Sequence, residues 1–419
     1  MQLGRKAARA ATFSLRSGSV GAFSFSAGLL AAALLLSGCG NFWQAPASTT
    51  TTTGTCTTNC STSNSGAFFI LNAGDTPQVI GESVVSGTTL TPTTGSPWAV
   101  NGTPYSMAID PSGGFLIVSS TSGVVSYPIT SGQLGTAVVV SSDQAYGVQV
   151  DSTSSWVIEA IPGNAGVTIG AVPIDSATGA ATTAEQTVSF NVTNATLQTN
   201  RLVISGDNAN IFVSLGAGGT LVVPFNAGVA PGGNPLSTKG TTIPVAATSG
   251  SALSVAVDPG TTPRLFYVGE TLASGGATGG LRAFNYSSLG STTLAQATGS
   301  PIASGGLAPN YILPASGGDY VYVANGTGSS TAGIISGFTV TASTAATPVY
   351  TIAAGSTTAT GVQPLAMAED NTDTFIMEVG SLGSPYLDVY DFDSTTLGQL
   401  DSQIASTTSL GSIAIVAVP

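Results

Sequence analysis

The sequence predicts an all-β protein: a seven-bladed β-propeller of four-stranded antiparallel blades, carried behind an export signal. Three observations lead there. An apolar–turn–apolar unit recurs at about 40–55 residues, the spacing of propeller blades. A divided copy of that unit lies at the two ends of the array. Charge is replaced throughout by Thr, Ser, Gly and Ala: only 7% of the 419 residues are charged, against about a quarter in an ordinary domain.

The chain begins with Arg5, Lys6, Arg9 and Arg16, followed by an apolar, small-residue run over about 20–36. A basic segment, a short apolar core and small residues at its end make a secretory signal, assigned to 1–38. The core is too short and too rich in Gly and Ser for a comfortable membrane span. It ends in Leu36-Ser37-Gly38-Cys39, which resembles the bacterial lipobox. That resemblance implies diacylation of the Cys39 thiol, cleavage before Cys39 and acylation of the new amine. Each buried CH₂ contributes roughly 0.8 kcal/mol, so several chains on one residue anchor stably. The plainer alternative is an ordinary signal with a chance cysteine at its cleavage site. Gly40 stands where an Asp would suggest inner-membrane retention, so the expected location is the outer membrane, on its periplasmic face or at the cell surface.

Residues 39–66 read as a linker. Thr and Ser dominate, apolar periodicity is absent, and such a segment cannot bury enough surface to offset its ordering entropy. Cys56 and Cys60 sit within it. In an oxidising compartment a small disulfide loop is the first expectation, with free or intermolecular thiols as the alternative. A metal there would need more ligands, and the chain has no histidine.

Beyond Cys39 only Arg201, Lys239, Arg264 and Arg282 are basic against twenty acidic residues, a net charge of −16. This excludes the basic footprint that nucleic acid or an anionic lipid surface requires. The expected contact with a membrane is the lipid anchor alone, and a monomer is expected.

The propeller is assigned to 67–419. Residues 104–119 read PYSMAIDPSGGFLIVS, and residues 309–324 read PNYILPASGGDYVYVA, each after a Gly-Ser-Pro (95–97 and 299–301). Further copies start at Tyr146, Arg201, Leu253 and Pro364. In each, an apolar run ends at Asp or a substitute, a turn follows, and a second apolar run begins, as in a β-hairpin. Third strands follow at 123–129 and 387–392, carrying alternating apolar residues. The seventh unit is divided. Residues 67–72 look like a second strand without its first, and residues 412–418 like a first strand without its second. Paired, they close the ring and leave no blade edge open there. A string of Ig-like sandwiches is the rival, but it would repeat nearer every 100 residues.

The run Gly-Ser-Pro, a spacer, then Pro-Tyr-Ser-Met-Ala-Ile-Asp-Pro-Ser-Gly-Gly-Phe-Leu-Ile-Val (104–118) resembles the lactonase-type (YVTN-like) seven-bladed propellers over most of 67–419. The resemblance implies the fold strongly and an activity weakly, because these motifs are the blade's own hairpin. Enzymes of that family include phosphogluconolactonase and a muconate-lactonising cycloisomerase.

A lactonase needs a base to activate water and a donor or metal to hold the oxyanion. Histidine is absent, and four scattered cations clamp a phosphorylated sugar acid poorly. Arg201, in the first strand of its repeat, is the channel candidate; a rim salt bridge is its plainer reading. Arg264 and Arg282 read as surface residues. Carboxylates could serve instead. Asp388, Asp391 and Asp393 form one group, Glu369, Asp370 and Asp373 another, and Asp391 and Asp393 alternate along a strand so as to share a face. Calcium could sit on such oxygens. Asp110, Asp151, Asp258 and Asp370, however, recur at one place in their repeats, which favours turn-capping. The sequence therefore leads first to a non-catalytic binding or interaction module for a protein, glycan or small molecule. Second comes a lactone hydrolase using carboxylates, with or without a divalent cation. No catalytic residue is assigned.

Overall fold

The structure is a computed structural model. It describes residues 67–419 except 86–88, 276–277, 292, 328–332, 346–348, 361, 384–385, 394, 397 and 407–410. The signal, Cys39, and the Cys56–Cys60 loop lie outside the described residues.

Seven antiparallel sheets form seven blades, which we number from the closing one. Blades 2 to 7 start with the innermost strands Pro104–Ile109, Gly147–Val150, Leu202–Ile204, Ala252–Val257, Ala308–Pro314 and Val362–Glu369. Blade 1 is built from both ends of the array. Its innermost strand is Ser412–Ala417, paired antiparallel with Ala67–Asn72, Phe69 lying opposite Val416. The innermost strands contact their neighbours all around the ring.

Burial follows from position in the blade. The second strand is covered on both faces by adjacent blades, so it reads as a continuous apolar run rather than an alternation. Phe115–Ser120 in blade 2 and Leu265–Glu270 in blade 5 are buried at every residue. The outermost strands have one wet face and alternate, as Gln186–Asn191 does in blade 3. The core is accordingly divided into clusters between blades. One joins Trp156, Ile158 and Ile169 of blade 3 to Ile211, Val213 and Val223 of blade 4. Another joins Phe68 and Ile70 of blade 1 to Met377, Val379 and Val389 of blade 7.

The recurrent aspartates cap the turn between first and second strands. Asp110, Asp151, Asp258 and Asp370 are all buried. Asp151 accepts from the backbone N–H of Thr153 (2.9 Å), Ser155 (2.8 Å) and Trp156 (2.7 Å). Asp370 does the same for Thr372, Thr374 and Phe375. The turn is closed by one backbone bond in every copy, such as Asp110 N–H to Phe115 O at 3.0 Å and Ala315 N–H to Tyr320 O at 3.0 Å. Blade 4 substitutes Ser205, whose Oγ accepts from Asn210 N–H at 3.0 Å. Blade 6 substitutes Ala315, which has nothing to offer. Glu369 of blade 7 instead accepts from Ser316 N–H at 2.7 Å.

The two Gly-Ser-Pro motifs are matching outer corners. Gly95 and Gly299 have φ of +88° and +90°, a region open to glycine. Ser96 Oγ accepts from Gly81 N–H at 3.0 Å and Ser300 Oγ from Ala283 N–H at 2.9 Å. The chain is then delivered to the short outer strands Trp98–Ala99 and Ile302–Ala303.

Candidate functional site

Four residues before the turn position, in or just before the innermost strands, stand Ser106, Gly147, Arg201, Ser254, Tyr311 and Ala366 of blades 2 to 7. Small residues at four of these places leave room that Arg201 and Tyr311 fill. Both line a central cavity of about 190 Å³, together with Gln149, Asn200, Val203 and Ser254. Arg201 directly precedes its strand and is only 9% exposed. One of its terminal nitrogens donates to Asn200 O at 3.2 Å, and its Nε has no hydrogen-bond partner. Burial pulls the guanidinium down to about 10 and pushes the Tyr311 phenol up; the two lie close enough to act on each other's ionisation. Arg201 therefore stays cationic at neutral pH beside a cavity of mixed polar and apolar lining.

The salt bridge expected as the plainer reading of Arg201 is not formed among the described residues. The ion pairs there are Arg264–Asp258 (3.1 Å), Arg264–Asp319 (3.8 Å) and Arg282–Glu270 (2.7 Å). Arg282 is no surface residue. It is buried against Glu270 and Pro244 O, and its guanidinium lies 4.7 Å from the Phe284 ring centroid. Its strand alternates, but both faces of that strand are covered. Arg264 is half-buried and also donates to Gly318 O of the next blade, which makes it a fastener between blades 5 and 6.

Most residues of the two acidic groups singled out in the sequence have structural work. Asp370 caps its turn, Asp373 sits in that turn at a φ of +54°, and Glu369 caps the neighbouring one, burial raising it to about 7. Asp393 lies beyond the strand Leu387–Phe392 rather than in it, and accepts from Thr395 and Thr396 N–H at 2.6 and 2.9 Å. Asp391 and Asp393 thus do not share a strand face.

Carboxylates converge elsewhere. Asp143, Glu159 and Glu185 place their oxygens within 4.8 Å of one another. Glu159 is fully buried in the second strand of blade 3, Trp156–Gly163, and burial pushes it up to about 8. Its Oε2 accepts from Ser141 Oγ at 3.0 Å, while its Oε1 has no partner. Glu185 is pushed up as well, by burial first and then by Asp143 and Glu159. The sequence reading missed this trio: the three residues lie far apart in the chain and meet only where blade 2 gives way to blade 3.

No family model and no curated protein matches the sequence. Solved structures do match the fold. The periplasmic gluconolactonase of Pseudomonas aeruginosa aligns over 84% of this chain and 99% of its own, with a TM-score of 0.59 and 16% identity. A protein from Lactobacillus plantarum aligns over 84% and 98%, at 0.60 and 16%. A functionally unknown protein from Desulfotomaculum acetoxidans aligns over 85% and 100%, at 0.59 and 12%. The chain shares its propeller fold with a lactonase.

Proposed function

We propose that this chain is a lipid-anchored propeller of the cell envelope that binds, without catalysis, a small organic anion in its central cavity. One observation carries the reading: Arg201 is a buried cation beside the cavity, with no carboxylate partner among the described residues and no hydrogen-bond partner for its Nε. A buried charge left unpaired is costly, and a ligand carboxylate answering the guanidinium's fork would offset that cost. At about 190 Å³ the cavity is below the roughly 300–1,000 Å³ of pockets that enclose drug-sized molecules, so the fitting ligand is a compact acid. No carboxylate or other ready base stands among the lining residues, which argues for binding over hydrolysis. The anchor rests on Leu36-Ser37-Gly38-Cys39.

A lactone hydrolase is the second reading. Its supports are the fold shared with the Pseudomonas gluconolactonase and a guanidinium able to steady an oxyanion beside a phenol. One pair of measurements separates the two. The purified chain is titrated calorimetrically with gluconate and assayed with glucono-δ-lactone. Saturable gluconate binding that weakens about tenfold or more in Arg201→Met, without lactone turnover, supports the binding propeller. Turnover above the uncatalysed rate, lost in the same variant, replaces it with the hydrolase.

A further inference from the structure

The blades can be compared residue by residue, because in blades 2 to 7 each second strand starts at the residue whose carbonyl closes the turn, and Ala67–Asn72 takes the same place in blade 1. Its fourth residue is Ile70, Val118, Val213, Val268 and Val323 in blades 1, 2, 4, 5 and 6, every one fully buried. In blade 3 that place is held by Glu159, equally buried. The fold asks for an aliphatic side chain there, and a carboxylate is expensive without a partner. Blade 7 carries Glu378 at the same place, fully buried and without a hydrogen-bond partner; what sets Glu159 apart is that two further carboxylates converge on it.

The surroundings agree. Opposite Glu159 in the ladder stands Gly170, and a Cβ there would come within 1.8 Å of Glu185 Oε1. The missing side chain is the space in which the Glu185 carboxyl lies beside Glu159. Asp143 approaches from the loop that leaves the outer strand Val138–Ser141 of blade 2. The buried Oε1 atoms of both glutamates lack a hydrogen-bond partner. The ion pairs formed by the described arginines and lysine involve other carboxylates.

We propose that Asp143, Glu159 and Glu185 form an oxygen-only site for one divalent cation of the calcium class, between blades 2 and 3. None of the three lines the central cavity. Oxygen donors alone select a hard cation. Calcium fits better than magnesium: Asp143 and Glu185 lie outside the strands, and calcium accepts irregular shells that magnesium rejects. The cation would offset two of the three negative charges and tie blade 2 to blade 3. Ser141 Oγ, already on Glu159, would orient that carboxylate.

The test uses the purified full-length chain, stripped with a chelator and titrated calorimetrically with calcium chloride and, separately, magnesium chloride. One saturable calcium site per chain is expected, with magnesium weaker by about tenfold or more. Asp143→Asn and Glu159→Gln should each weaken calcium by about tenfold or more, because both remove a charged ligand. Glu378→Gln, altered at the same register place in blade 7, should bind calcium as the wild type does. At one calcium concentration near the wild-type Kd, calcium should raise the wild-type Tm and raise that of Glu159→Gln clearly less. No saturable calcium binding, or binding retained in both ligand variants, overturns the site. If Glu159→Gln folds poorly, Asp143→Asn decides, since it alters a half-buried loop and not the core.

Discussion

Glu378 shows what a carboxyl costs where no partner reaches it. It occupies the valine place in the second strand of blade 7, is fully buried, and neither of its oxygens finds a hydrogen-bond partner. Burial, with Asp388 adding repulsion, pushes it well above its ordinary value of 4.5. The sign of its pH effect follows. A carboxyl raised in the folded state favours folding while both states are protonated. That advantage drains away as pH rises from the ordinary carboxylate range towards the folded value. Glu378→Val should therefore raise stability by about 1–3 kcal/mol at pH 8, and by clearly less at pH 5, as read by urea unfolding at the two pH values. An equal gain at both would mean that packing, not ionisation, sets the effect. Single residues also mark where the sequence could be read and where it could not. The position of Arg201 beside an innermost strand was legible because that place in a repeat is inward whatever the blade. Arg282 was not, because alternation along a third strand signals exposure only if one face is wet, and the adjacent blade covers it. The Asp143–Glu159–Glu185 trio left no local pattern to find.

At the scale of the hairpin the sequence was nearly transparent. All six first–second strand pairs fall where the apolar runs and turns place them, and in four of them one buried aspartate fixes the turn. Where the aspartate is absent the cap is rebuilt, by Ser205 within the turn or by Glu369 from the next blade, and that second device is invisible in a repeat alignment. Asp151→Ala strips an acceptor from three backbone N–H groups. One of them, that of Trp156, belongs to a fully buried residue. The expected loss is roughly 2–4 kcal/mol by urea unfolding, several times that of an ordinary surface change. Asp151→Asn keeps an acceptor oxygen and should lose less. Equal losses would show that the negative charge, rather than the turn's hydrogen bonds, is what matters. The Gly-Ser-Pro corners fit the same pattern: a motif that looked like a family signature is a device for ending blades 1 and 5.

For the whole molecule, the ring was legible from its divided repeat, whereas the proposed tether rests on the sequence alone, its residues lying outside the described ones. A Cys39→Ser chain expressed in a bacterium should fail to incorporate labelled palmitate and should leave the membrane fraction for the soluble one; labelled, membrane-bound Cys39→Ser would remove the lipobox assignment. Blade 1 carries a consequence of another kind. Its strand Ala67–Asn72 finds its inner partner in Ser412–Ala417, and Val418 N–H reaches Ala67 O at 2.9 Å. Translation runs from the amino end, so residues 73–411 must all be made before that partner exists. Through the whole of synthesis Phe68, Phe69, Ile70 and Leu71 wait beside an unpaired backbone, the kind of edge on which chains stick to one another. The first of the described strands to be made is the last to be completed, and the newborn chain needs shelter until residues 412–417 arrive.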